Sequence, residues 1–146
     1  MAYKKIFLAL DDSPQMDYVF ERALETAALH KAHILIGHVV NSGPMEAKSS
    51  LPHDYIPNQI HEYDALIEPY LKRAQATEGI ASVQYTNLTG PIRETLLEEE
   101  IMPFDPDLVI CGARGLSVIK YALLGSVSSF LVKHVDCDVL VIKNKE

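Results

Sequence analysis

The sequence predicts one α/β domain, a parallel sheet covered by helices on both faces. Three observations carry that expectation. The chain has 146 residues, enough for one core of ordinary size and too few for two. Short unbroken apolar runs recur, such as Ile6-Phe7-Leu8-Ala9-Leu10 and Leu108-Val109-Ile110-Cys111, and such runs suit strands buried on both faces. Between them lie longer segments whose apolar residues stand three or four apart, the spacing of a helix with one inward face. Strands that alternate with helices pair in parallel, because each crossover returns the chain to the same end of the sheet.

The elements follow in order. Residues 6–10 form the first strand, and Asp11-Asp12-Ser13-Pro14 breaks it. Ser13 is suited to cap a helix and Pro14 to its first position, where a missing N–H costs nothing. Val19, Ala23 and Ala27, beside Phe20, Leu24 and Ala28, give that helix its inner face, and it should stop near His30-Lys31. Residues 34–40 form a second strand, ended by Asn41-Ser42-Gly43-Pro44. The loop from Asn41 to about Ile56 is long enough to have a function, and a lid over a bound ligand is the expectation. Ile60, Tyr63, Leu66, Ile67, Tyr70, Leu71 and Ala74 mark a second helix, with a kink expected at Pro69. Ala81, Val83 and Tyr85 alternate with polar residues, as in a half-buried strand at a sheet edge. Gly90-Pro91 starts a third helix through Ile92, Leu96, Leu97 and Ile101, on which Glu98-Glu99-Glu100 reads as a solvated face. Pro103 and Pro106 end it. Residues 108–111 form the fourth strand, Ser126 to Val135 the fourth helix and residues 139–142 the fifth strand. The result is a single Rossmann-like domain over residues 1–146, with the sheet expected in the order 3-2-1-4-5.

Composition narrows the function. The formal net charge is −7, with acidic residues spread along the chain, so no basic face is on offer to a phosphate backbone and no nucleic-acid role is expected. No stretch of about 18 apolar residues exists to cross a membrane. The apolar run near the N-terminus stops at Asp11, too soon for a signal peptide. Cys111 and Cys137 lie in apolar, strand-like segments and read as buried thiols in a reducing compartment. A cytoplasmic location is the expectation. Hydrophobic residues at 48% and charged residues at 23% fit a soluble globular chain.

In an open parallel sheet, ligands bind beyond the carboxyl ends of the strands, where the strand order reverses. The loops after Leu10, Val40 and Cys111 should meet there. The third is the informative one, with Gly112-Ala113-Arg114-Gly115, nine further residues, then Gly125-Ser126 at a helix start. Glycines let backbone N–H groups approach a phosphate, and a helix N-terminus supplies free N–H groups and a positive dipole end. The site therefore reads as one for a phosphorylated ligand, held by backbone more than by charged side chains.

The spacing Gly112-x2-Gly115-x9-Gly125-Ser126 resembles the nucleotide-binding signature of ATP-binding universal stress proteins. The resemblance spans the chain. Leu8-Ala9-Leu10-Asp11-Asp12-Ser13 is similar to that family's first-strand turn and His38-Val39 to its second-strand end. Gly90-Pro91-Ile92 is similar to the start of its third helix, and Cys137-Asp138-Val139-Leu140-Val141-Ile142 to its last strand. The resemblance implies that Ala9, Leu10 and Val39 line an adenine pocket through backbone groups, and that Asp11 contacts the ribose or the base. It implies that Gly112 and Gly115 border the ribose and α-phosphate. Gly125, Ser126, Val127 and Ser128 then hold the outer phosphates of ATP, with a magnesium ion (Mg2+) bound through those phosphates. It further implies a homodimer joined through the C-terminal strand, whose free apolar edge suits pairing. Asp12 stands where the family often has glycine, and Asp138 where it often has proline. Arg114 is a candidate to neutralise phosphate charge, or a plain exposed loop residue.

Other readings are weaker on the residues. A slow ATPase or nucleotide hydrolase would need a base beside the γ-phosphate, and the motif places neither His nor Glu there. A phosphoacceptor receiver domain shares the alternation and the paired acids Asp11 and Asp12, but needs an aspartate ending the third strand, where Thr86-Asn87-Leu88 stands. A stress protein that has lost nucleotide binding would lack the glycine signature. The histidines show no metal-ligand spacing.

Overall fold

The computed structural model describes residues 2–42, 51–113 and 124–143. Arg114, Gly115 and half of the expected lid, residues 43–50, lie outside them. The elements are β1 (Lys5–Ala9), α1 (Met16–His30), β2 (His33–Asn41), α2 (Tyr55–Gln75), β3 (Ser82–Gly90), a continuous helix α3 over residues 92–104, β4 (Leu108–Gly112), α4 (Ser126–His134) and β5 (Asp138–Ile142). All four strand pairs are parallel, and the order is β3-β2-β1-β4-β5. This is the expected order. It removes the receiver reading, whose sheet runs 2-1-3-4-5.

The apolar runs explain the two-sided core. Side chains alternate along a strand, so Ile6 and Leu8 point to one face and Phe7 to the other; all three are fully buried. Ile6, Leu8, Ile34, Ile36 and Ile110 pack with α1 and α2. Phe7, Leu35, Val109 and Cys111 pack with Leu96 and Ile101 of α3 and Leu131 of α4. The edge strands are less covered: Val83 and Tyr85 on β3, and Val139 and Leu140 on β5, are only partly buried.

Two local expectations change. Helix α1 begins at Met16, and neither Ser13 nor any other side chain caps it. A turn precedes it, closed by the Met16 N–H on the Ser13 carbonyl (3.0 Å) and by the Ser13 N–H on Asp11 Oδ1 (3.2 Å). Pro14 sits in that turn. The helix does stop as expected: Lys31 is left-handed (φ 54°), and the Ala32 N–H returns to the Ala27 carbonyl at 2.9 Å.

The second change is in α3. Its middle, Leu96–Ile101, is a π-helix. A π turn takes more residues than an α turn, so side chains five apart fall on one side. Thr95 and Glu100, and likewise Leu96 and Ile101, are buried together. Glu98 and Glu99 are solvated as expected, but Glu100 is turned inward and only 2% exposed.

Candidate functional site

The chain leaves β1 toward β2 and leaves β4 toward β5, so the connections from these paired strands part in opposite directions, and a cleft of about 620 Å³ opens beyond their carboxyl ends. Ala9, Leu10, Asp11, Val39, Gly112, Gly125, Ser126, Val127 and Ser128 all line it. The fold thus brings together the sequence-derived candidates that lie among the described residues.

One wall is backbone. Strand β1 ends at Ala9, in register with Gly37, while β2 runs on to Asn41. The Leu10 N–H donates to the Gly37 carbonyl at 3.2 Å, so Gly37 faces β1. Alternate residues of a strand direct their polar groups the same way. Val39 therefore turns its N–H and C=O toward the space past the end of β1, which is the cleft. Leu10 has less to offer. Its N–H is used, and its carbonyl accepts the Tyr63 hydroxyl at 2.5 Å.

A second wall is the start of α4. Gly125 is its extended N-cap, and no side chain caps it. The first helical bond runs from the Ser129 N–H to the Gly125 carbonyl (3.0 Å), which leaves the N–H groups of Ser126, Val127 and Ser128 without a helical acceptor. Ser126 is exposed. The Ser128 hydroxyl is engaged, donating to the Ala113 carbonyl at 2.8 Å, so only its N–H is open to a ligand. Gly125 is tied to the same carbonyl through its own N–H. Both bonds fasten the helix start to the end of β4.

The third wall was not legible in the sequence. Tyr55, Gln59, Glu62, Tyr63 and Leu66 of α2 line the cleft, together with His38. Their spacing is one helical face, but only docking shows which face turns to the site. The His38 and Tyr63 rings stack at 3.5 Å with 6° between planes, and Tyr85 follows at 6.2 Å. A hydrogen-bond relay fixes the histidine. The Asp64 carboxylate accepts from the Tyr85 hydroxyl (2.5 Å) and from Asn87 Nδ2 (3.2 Å). Asn87 Oδ1 is thereby turned to His38 Nδ1 at 2.8 Å, and an amide oxygen only accepts, so that nitrogen carries the proton. Burial lowers the His38 pKa, which keeps the ring neutral and leaves Nε2 as an acceptor.

Asp11, Asp12 and Glu62 make the cleft acidic, and no Lys or Arg is among its described lining residues. Cys111 also lines it, with its thiol pushed up to about 12 by burial, so it acts as a small apolar wall. Both cysteines are free. Asp138 takes the Tyr3 hydroxyl at 2.8 Å and so ties the N-terminal segment to β5.

The chain is an open parallel α/β domain with a cleft at its switch point, the place where proteins of that class bind small ligands. Within that class, the universal stress protein family model matches residues 2–143, and the chain belongs to that family. A universal stress protein of Staphylococcus saprophyticus is 26% identical over the whole chain and 87% of its own length. Universal stress protein UspA from Lactobacillus plantarum has the same fold, with a TM-score of 0.83 at 20% identity, over 97% of this chain and 99% of that one. An Archaeoglobus fulgidus universal stress protein in complex with dAMP aligns at TM-score 0.68 and 19% identity, over 98% and 100% of the two chains. Another family member, in complex with cAMP, aligns at TM-score 0.70 and 22% identity, over 98% of each chain. Among the described residues, no helix is long and apolar enough to cross a membrane.

Proposed function

We propose that the cleft binds an adenine nucleotide, ATP with magnesium, and that the chain is a cytoplasmic, nucleotide-dependent stress regulator acting as a homodimer. One observation carries the reading. A backbone donor and acceptor at Val39 and an uncapped helix start at Ser126 line one cleft, the first suited to a base edge and the second to phosphates. Two relatives of the same fold were solved with adenine nucleotides. Asp11 at the mouth suits a ribose hydroxyl. Magnesium bound through the phosphates would offset the repulsion between those phosphates and the acids Asp11, Asp12 and Glu62. The open outer edge of β5 is the surface for pairing with a second copy.

Calorimetric titration of ATP–magnesium tests this, beside a Gly125→Val, Ser126→Ala variant. Micromolar binding that the variant loses is the expected result. A folded protein that takes no ATP would overturn the reading. Phosphate release from the same samples separates binding from slow hydrolysis, and sedimentation tests for twice the chain mass.

A further inference from the structure

Glu100 is the unusual residue of this molecule. Among the described residues, its two carboxyl oxygens are the only buried side-chain polar atoms with no hydrogen-bond partner. Its place is specific. Oε1 fills the space that a Cβ on Gly37 would need, beside the Phe7 ring, so the absent side chain of Gly37 is what admits the carboxyl. Gly37 itself lines the cleft, as do Ile92 and Leu96 of the helix that carries Glu100. The π turn of that helix points Glu100 inward, and π turns recur at functional positions.

We propose that Glu100 is a proton-operated latch on the cleft: as a neutral acid it seats residues 96–101 against Gly37, and on losing its proton it unseats them together with the Leu96 wall. A lone carboxylate cannot remain in an apolar notch without a partner. Rewinding the π turn as α-helix rotates the residues beyond it by about 100° and gives the charge a way to water. Among the described residues, Glu99 on its own helix, Tyr63 on α2 and Tyr85 on β3 feel this charge, and none of these three is a cation. Phe7 from β1 and Gly37 from β2 bring no charge. Burial, with Glu99 a lesser cause, pushes the Glu100 pKa up to about 8.

The sign follows. A carboxyl raised from its ordinary range to about 8 binds a proton in the folded chain that the unfolded chain has lost, so the stability it contributes fades as pH rises to about 8 and is level above. Urea unfolding of wild type and Glu100→Gln from pH 5 to 9 reads this directly. The folding equilibrium of wild type should fall against that of the variant by at least about a hundredfold between pH 5 and 8. A constant ratio would overturn the buried neutral acid.

The gating of the cleft rests on the nucleotide reading and has its own arm. If only the protonated form binds, the affinity for ATP–magnesium falls about tenfold from pH 7 to 9 in wild type and stays flat in Glu100→Gln. Equal profiles in both proteins would overturn the latch. Absence of ATP binding at pH 7 in both would overturn the nucleotide reading and the gate built on it, while the unfolding series still decides the state of Glu100.

Discussion

On the α1/α2 face of the sheet, His38, Asn87, Asp64 and Tyr85 are paired with one another, whereas on the α3/α4 face Glu100 stands alone. The first set forms a chain from His38 through Asn87 and Asp64 to Tyr85, with the Tyr63 hydroxyl on the Leu10 carbonyl. The second leaves two oxygens unpaired behind Gly37. Low local polarity makes a completed network rigid and an incomplete one costly. The two faces therefore respond in opposite ways to removal of a polar group: the paired wall weakens, and the wall behind Gly37 tightens.

The comparison breaks first at Tyr63, which is 4% exposed and stacked between His38 and Tyr85. Tyr63→Ala should cost about 3–5 kcal/mol in urea unfolding, from lost burial and the cavity left behind. Tyr63→Phe keeps the stack and should cost about 1 kcal/mol. Asp64→Ala comes next. It leaves the Tyr85 hydroxyl and the Asn87 amide without their acceptor, at about 1–3 kcal/mol, and frees the His38 tautomer, which nitrogen shifts of the imidazole would report. An unchanged imidazole spectrum would show that Asn87 holds the ring without help from Asp64. The smallest effect belongs at Arg73, whose forked contact with Glu21 is about half exposed on both sides. Arg73→Ala should cost under about 1 kcal/mol, and added salt should shrink the difference.

Helix α3 shows why part of the molecule was not legible. Ile92, Leu96, Leu97 and Ile101 announce a helix in the sequence, and three adjacent glutamates announce a wet face. No residue in that stretch announces a π turn. Whether Glu100 faces out or in depends on Leu96 and Ile101 both reaching the core, a condition set by β1 and β2 rather than by the helix. The α2 wall is similar. Tyr55, Gln59, Glu62, Tyr63 and Leu66 have visible helical spacing, but Leu66 is 41% exposed and Tyr63 nearly buried, and docking alone sorts them.

The sequence by itself determined the strands, their parallel pairing and two walls of the cleft. Unbroken apolar runs suit strands covered on both faces, and glycines before a helix start act through local backbone geometry. Tertiary structure alone decided which side chains meet around those walls: the ring stack on His38, the relay from Asp64, and the glutamate seated where Gly37 has no side chain. Those contacts join residues far apart in the chain, and their energies depend on the distance between elements, which no local pattern of residues specifies.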